Sequence, residues 1–253
     1  MSYSTLDENQ YRYTGVNGRY ARDNALFSGV PSGFSKQMHA DLFVGEPTSL
    51  NHAQTSGPVF RFQCTAGCSP FPALVCQGVI RQAILDAVQL ALNASRKLEA
   101  NPRDPRTVSE FRSVFDHDPA LPLPWPGIRN SGTRFARRFR AVARALRGAG
   151  TLYRCDGCTQ LREYPVGSIL DAHAIAIPPN EVILCPSFWG LPVFLRAGVV
   201  LHEMFHLRFD PCFGHGVCET KRTSAYCYEA FALRVAGHSP EQLVLDRCKA
   251  LKK

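Results

Sequence analysis

The sequence lacks two kinds of segment, which mark membrane proteins and proteins of the Sec export route. It contains no apolar run of about 20 residues, the length that a helix needs to span a bilayer. Its polar and acidic beginning, MSYSTLDENQ, has no basic end followed by an apolar stretch, so it is not a Sec-type signal peptide. Internal repeats and low-complexity tracts are absent too. We therefore expect a globular protein without a membrane span.

Cysteine, in contrast, is frequent. The chain has 10 cysteines in 253 residues, a density that favours disulfides and an oxidising compartment. We predict a secreted or exported protein, whose signal has been removed or which uses another route, such as a bacterial toxin-delivery apparatus. The alternative is a cytosolic protein with reduced thiols.

The first sixty residues differ in composition from the rest. They are rich in Gly, Ser, Asn and Tyr, show no sustained period, and carry a net charge of −1, whereas the remainder carries +9. We predict an N-terminal extension over residues 1–60, which is a leader, a propeptide or a delivery segment. Residues 61–253 are predicted to form the folded domain.

The pentapeptide HEMFH, from His202 to His206, is the most informative motif. Two histidines four residues apart lie on one face of a helix and can share one zinc ion. Glu203 between them can accept a proton from a metal-activated water without ligating the metal. The apolar run Leu195–Leu201 predicts that this helix is buried, as the metal helix of zinc peptidases of the zincin type must be.

The third protein ligand is not fixed by the motif. The long zincin pattern would place a histidine six residues after His206, but Cys212 stands there. The candidates are therefore Glu229, on a following helix, and Asp210, which we prefer. On a straight helix Asp210 would lie about 12 Å along the axis from the first histidine. The helix is thus predicted to end near His206, and Pro211 favours such a turn.

Three segments resemble motifs of the deuterolysin family, the aspzincins, whose lysine-specific metalloendopeptidases form one branch. The segment Asp210–Cys218 (DPCFGHGVC) resembles the family's second metal motif, Gly-Thr-x-Asp-x-x-Tyr-Gly. Cys185–Trp189 (CPSFW) is similar to the Cys-Pro-x-Phe-Phe step before the metal helix, and Tyr228–Ala232 (YEAFA) to the last helical motif. The resemblance spans about Cys76 to Gly237. It implies a zincin-like fold with Zn²⁺ held by two histidines and Asp210.

The chain departs from the family pattern near the metal aspartate. The gap from His206 to Asp210 is shorter than usual, Arg208-Phe209 replaces Gly-Thr, and Phe213 replaces the tyrosine. In the family that tyrosine donates a hydrogen bond to the oxyanion of the transition state.

Three residues could supply the missing donor. They are Tyr226, Tyr228 and His215. Tyr226 also replaces an acidic residue that receives lysine in the lysine-specific branch, although Glu229 keeps one negative charge there. The resemblance therefore implies a broad or non-lysine preference.

The sequence of the predicted folded domain indicates an α+β fold, mainly helical with a small sheet. Apolar periodicity predicts a long helix over Val79–Ala100 and another that ends at Gly148. A capping box of Thr107 and Glu110 predicts a short helix through Phe115. Three further predictions are strands at 152–154, 174–177 and 182–184, and a last predicted helix runs from about 223 to 236.

The cysteines allow two interpretations. The resemblance implies the disulfides Cys76–Cys155 and Cys158–Cys185. The rival is a structural zinc site, since Cys155 and Cys158 have ligand spacing and a second pair, Cys64 and Cys68, could complete it.

Six arginines share one face of the helix that ends at Gly148. No aromatic residues alternate with them, so base stacking is not indicated. We favour a solvated helix face over a nucleic-acid-binding surface. The arginines are Arg134, Arg137, Arg138, Arg140, Arg144 and Arg147.

We predict a zinc endopeptidase. In it His202, His206 and Asp210 bind the metal, and Glu203 is the general base. A protein or peptide substrate is expected to add to a sheet edge near Val182–Leu184. The alternative is a catalytically weak or inactive cysteine-rich binding protein or effector on a zincin scaffold, and a third interpretation is a basic nucleic-acid-binding protein. The sequence leaves the oligomeric state open.

Overall fold

The computed structural model describes residues 60–64, 70–123, 130–155, 174–177, 180–209 and 220–251. Apart from Phe60, these residues lie in the predicted folded domain, and residues 1–59 of the predicted N-terminal extension lie outside them. They form four strands, six α-helices and one 3₁₀ turn. The strands are β1 (Arg61–Cys64), β2 (Leu152–Cys155), β3 (Ala174–Ile177) and β4 (Glu181–Leu184). The helices are α1 (Ala73–Ala100), α2 (Pro105–Phe115), α3 (Ser131–Arg147), α4 (Val193–Phe209), α5 (Ala225–Val235) and α6 (Gln242–Ala250), and the 3₁₀ turn is Pro186–Gly190.

The predicted α+β class and its principal elements are confirmed. The structure contains the three predicted strands and the predicted helices, and Gly237, with a φ of 86°, follows α5 as expected. The start of α2 differs from the prediction. Its N-cap is Asp104, whose carboxylate accepts hydrogen bonds from the backbone N–H and the hydroxyl of Thr107, both at 2.8 Å. Thr107 therefore donates hydrogen bonds to the N-cap residue and is not the N-cap itself.

The sheet is mixed, with strand order β1-β2-β4-β3. The strands β1, β2 and β4 run parallel, and β3 pairs antiparallel with β4. The predicted peptide-binding edge at Val182–Leu184 is therefore wrong, because both sides of β4 are already paired. Consecutive burial of Val182, Ile183 and Leu184 is typical of such an internal strand. Among the described strands, β3 forms the edge on this side of the sheet.

Helix α1 packs against α3, α4 and α5. Its buried positions, such as Ile80, Ile84, Ala87 and Ala91, recur every three or four residues and face these helices. By length and composition α1 is also the one helix of the described chain that could cross a membrane. The buried core helices of globular proteins pass the same test, so α1 is compatible with the expectation of no membrane span.

An aromatic cluster joins α2, α3, α4 and α5. Its rings are fully or almost fully buried, and neighbouring centroids lie 4.3–6.0 Å apart. Packing of this kind fixes how α5 lies on α4, which matters because both helices carry candidate site residues. The aromatic cluster consists of Phe111, Phe115, Phe135, Phe139, Phe205, Tyr228 and Phe231.

The arginine face of α3 is not uniformly solvated. Arg140, Arg144 and Arg147 are exposed, but Arg138 is half-buried and donates hydrogen bonds to the Tyr228 hydroxyl at 2.8 Å and to the Arg222 carbonyl at 2.7 Å. The prediction of a solvated face therefore holds for the C-terminal half of the helix. In its N-terminal half the face contributes to packing, because long cationic side chains can bury their stems and bond with their tips.

Two disulfides join cysteines within the described residues, Cys64–Cys76 and Cys227–Cys248. The predicted Cys76–Cys155 pair is wrong, since Cys76 in the first turn of α1 lies beside Cys64 at the end of β1, with Cα atoms 6.7 Å apart. Disulfides are typical of proteins from oxidising compartments.

Cys155 and Cys185 are disulfide-bonded as well. The structural zinc site is therefore contradicted, because Cys64 and Cys155 do not supply thiolates. Cys158 lies outside the described residues, and its pairing with Cys185 stays a prediction.

Candidate metal centre

Helix α4 carries the HEMFH motif in its buried part. Every residue from Ala197 to His206 is buried, and His202, Glu203 and His206 are at most 1% exposed. The expectation of a buried helix is thus confirmed. A polar trio in such a position is costly unless each member finds hydrogen-bonding or ionic partners, so the arrangement of these side chains must be explained.

The end of α4 differs from the prediction. The helix continues to Phe209 instead of ending near His206. The aromatic rings explain the extra turn, because Phe209 stacks on Phe205 with centroids 5.8 Å apart and the Arg138 guanidinium lies 5.9 Å from the Phe209 ring. Asp210 is the next residue and lies outside the described part of the chain.

The two histidines of the motif converge through the same ring nitrogen. The Nε2 atoms of His202 and His206 are 3.0 Å apart, and both side chains are buried. Each imidazole has one nitrogen that can present a lone pair. Two zinc–nitrogen bonds of about 2.0–2.1 Å at a tetrahedral angle would place their nitrogens about 3.3 Å apart. The observed separation is compatible with a shared cation and equally with a hydrogen bond between the two imidazoles.

The opposite edge of the His202 ring faces a carboxylate. Nδ1 of His202 lies 2.9 Å from Oε2 of Glu229, and both side chains are completely buried. A carboxylate accepts a hydrogen bond from Nδ1–H, so the proton belongs on Nδ1 and the lone pair on Nε2. This is the arrangement in which metal-binding histidines are commonly held.

Glu229 therefore does not lie where a third metal ligand would be needed. The imidazole ring separates its bonded oxygen from the point on which the two Nε2 atoms converge. The alternative with Glu229 as a ligand is thus disfavoured, and so is a contact of Glu229 with substrate. The sequence contains a signal for this different role, since Glu229 is the one acidic residue in the otherwise apolar first nine residues of α5.

The two tyrosines of α5 lie in different surroundings. The Tyr226 ring contacts that of His202 with centroids 4.6 Å apart at an angle of 70°. Tyr228 belongs to the aromatic cluster, and its hydroxyl donates to the Arg222 carbonyl at 3.2 Å while it accepts from Arg138. Of these two candidate oxyanion donors, Tyr226 is the one beside the histidine pair.

The remaining predicted site residues, Asp210, Phe213 and His215, lie outside the described residues. Within the described ranges, no group of three His, Cys, Asp or Glu side chains could hold a metal ion. A complete metal site would thus need a ligand from another part of the chain, such as the segment that follows α4.

Comparison with known proteins gives no further guide to this site. No family model matches the chain, and no curated protein matches it. The functional argument therefore depends on the motif and on the geometry around the two histidines.

Proposed function

We propose that the protein is a zinc-dependent endopeptidase of the zincin type, related to the deuterolysin family. One observation carries the proposal. The Nε2 atoms of His202 and His206 converge at 3.0 Å, while Glu229 accepts a hydrogen bond from the other nitrogen of His202. A pair of buried imidazoles with this orientation, one turn apart and separated by Glu203, is the arrangement that the HExxH motif of zinc peptidases requires.

The proposed metal ligands are His202, His206 and Asp210. The argument for Asp210 required the helix to end near His206, whereas α4 continues to Phe209, so the Asp210 carboxylate can approach the histidines only if the chain leaves the helical direction immediately after Phe209. Pro211 favours such a turn, because the residue before a proline is disfavoured in the helical region. Glu229 is disfavoured as the third ligand, since its carboxylate holds Nδ1 of His202.

The bound zinc would lower the pKa of a water molecule and polarise the scissile carbonyl. Glu203 accepts the proton of that water and then passes it to the leaving amine. The buried position of Glu203, which is 1% exposed, keeps bulk water away from its carboxylate. His202 and His206 would hold the metal through their Nε2 atoms. Glu229 keeps the Nε2 lone pair of His202 directed to the metal.

A peptide substrate would add to the edge strand β3. Helix α4 packs against this strand, so a chain paired with β3 would lie beside the helix that carries the histidines. Main-chain hydrogen bonds to a sheet edge provide affinity without sequence preference. With Glu229 committed to His202 and Tyr226 in place of an acidic residue, a preference for lysine is not expected. The disulfides support action outside the reducing cytosol.

The test measures metal content and proteolysis on the same preparation. Purified full-length protein, never exposed to chelator, should contain close to one zinc per chain and should digest casein, and a chelator should abolish the digestion. Asp210→Ala should weaken zinc binding far more than Glu229→Ala. Metal content well below half an equivalent would contradict the proposal. Full zinc content without cleavage of any protein substrate would favour the inactive binding protein instead.

A further inference from the structure

Helices α4 and α5 are in contact at a glycine. Gly198 lies one helical turn before His202, and both face Glu229 of α5. A Cβ atom added to Gly198 would lie 3.0 Å from Oε1 of Glu229 and 3.1 Å from Cδ1 of Leu233. The Glu229 and Leu233 side chains therefore share the space in which a side chain at position 198 would stand.

The two oxygens of Glu229 are placed by one surface of α4. Oε2 bonds to Nδ1 of His202 at 2.9 Å, and Oε1 lies over the backbone of Gly198. An alanine at position 198 would push the carboxylate by a few tenths of an ångström along or away from the helix. Because the bond to His202 depends on the same carboxylate, such a push would also turn or release the imidazole.

A second helical glycine has no such neighbour. Gly78 in α1 is exposed, and a Cβ atom there would meet nothing within 4 Å. Glycine inside a helix is unfavourable relative to alanine at either position. At position 198 the close approach of Glu229 provides a physical reason for it, whereas at position 78 the structure shows none.

From this contact we propose that Gly198 and Glu229 form a positioning pair for the metal-binding nitrogen of His202. Glu229 fixes the proton on Nδ1 and the lone pair on Nε2, and Gly198 leaves the room that keeps Glu229 in place. The inference rests on the proposed zinc site and deepens it. Neither residue contacts the metal or the substrate, so both act through His202.

Zinc affinity is the appropriate measurement, because partners of metal-binding histidines typically contribute about 10–100-fold to it. Gly198→Ala and Glu229→Ala should each raise the zinc dissociation constant within that range, measured by competition with a chromophoric chelator. Glu229→Gln keeps the size and one acceptor oxygen, so it should have a smaller effect. Gly78→Ala is the matched control and should bind zinc as the unchanged protein does.

The double variant tests whether Gly198 acts through Glu229. If it does, Gly198→Ala with Glu229→Ala should bind zinc no more weakly than Glu229→Ala alone, because the group that the new methyl displaces is gone. The visible spectrum of the cobalt-substituted proteins should change in Gly198→Ala and stay unchanged in Gly78→Ala. If the two substitutions weaken zinc binding by factors that multiply in the double variant, Gly198 does not act through Glu229.

The failure of this inference is distinguishable from the failure of the proposed function. If the unchanged protein binds no zinc, the proposed function fails and the positioning pair with it. If the unchanged protein binds zinc, and Glu229→Ala and Glu229→Gln bind zinc as tightly as it does, only the positioning pair fails. Should Gly198→Ala not fold, Glu229→Ala still tests whether the carboxylate positions His202, since it removes the acceptor and introduces no added atoms into the helix contact.

Discussion

His117 and His202 occupy two regions that look alike at first and differ in one decisive contact. His117 is half-buried between α2 and α3, with Nδ1 2.8 Å from the Phe115 carbonyl and Nε2 2.6 Å from the Ser131 hydroxyl. His202 also has an oxygen acceptor at Nδ1, but its Nε2 faces another imidazole nitrogen. A hydroxyl can donate to a lone pair, so His117 is satisfied within the fold. With the protons of both rings on Nδ1, two lone pairs would face each other and call for a shared cation, whereas with the proton of His206 on Nε2 the two imidazoles form a hydrogen bond.

The acidic residues next to the two histidines differ in their surroundings. Asp116 and Asp118, on either side of His117, form ion pairs with Lys221 and Arg112. Glu203 beside His202 lies in the buried face of α4. The comparison teaches that a buried histidine with acidic neighbours is not a metal site by composition alone. What faces its second nitrogen distinguishes a structural histidine from a candidate ligand.

The largest expected difference is in metal binding. His202→Ala should reduce zinc to well below half an equivalent per folded chain and abolish proteolysis, because it removes one of three proposed ligands. His117→Ala should keep zinc, although it loses hydrogen bonds and some stability. Metal analysis of both proteins, with circular dichroism to verify folding, makes the comparison. Equal zinc contents would erase the distinction between the two histidines.

The next effect separates binding from chemistry at the same site. Glu203→Gln should keep zinc and lower kcat by about 10²–10⁴, because a general base contributes about that factor. Gln has nearly the same shape but cannot accept the proton. Zinc content and casein digestion on one preparation provide the measurement. Loss of zinc in this variant would mean that Glu203 is a ligand and not the base.

A matched pair of tyrosines tests the oxyanion donor. Phe213 has no hydroxyl, and Tyr226 contacts His202, so Tyr226→Phe should lower kcat by about 10²–10³ with little change in KM. Tyr228→Phe should leave kcat unchanged and lower the free energy of unfolding by about 1 kcal/mol, since it removes hydrogen bonds to Arg138 and Arg222. Steady-state kinetics and denaturant unfolding distinguish the two. A large kinetic loss in Tyr228→Phe would reverse the assignment.

The smallest expected effect is the pH dependence at His117. Burial lowers the pKa of His117 below its usual value of 6.5. The unfolded chain therefore binds the proton more readily, and the stability contributed by neutral His117 is lost as the pH falls through about 6.5. Unfolding of metal-free protein between pH 8 and pH 5 should show a steeper decline than the His117→Gln variant. Parallel curves would show that His117 does not titrate differently on folding.

Much of the fold could be predicted because its signals are local. The 3.6-residue period identified α1 and α3, and short apolar runs identified β2, β3 and β4. The strand β1 was missed because four residues carry little pattern and their partner, β2, lies far along the chain. The helix α6 was missed because it buries few side chains, chiefly Val244 and Cys248, so its apolar period is weak.

For the candidate site, the sequence by itself determined that His202 and His206 lie on one face of a buried helix with Glu203 between them. Helix geometry imposes this on any chain with that spacing and those apolar neighbours. Only the tertiary structure decided which ring nitrogens converge, that the Glu229 carboxylate bonds to His202 beside Gly198, and that β4 is an internal strand between β2 and β3. It also decided that Cys76 pairs with Cys64. The physical reason is that these contacts join residues distant in sequence, whose meeting depends on how whole helices and strands pack.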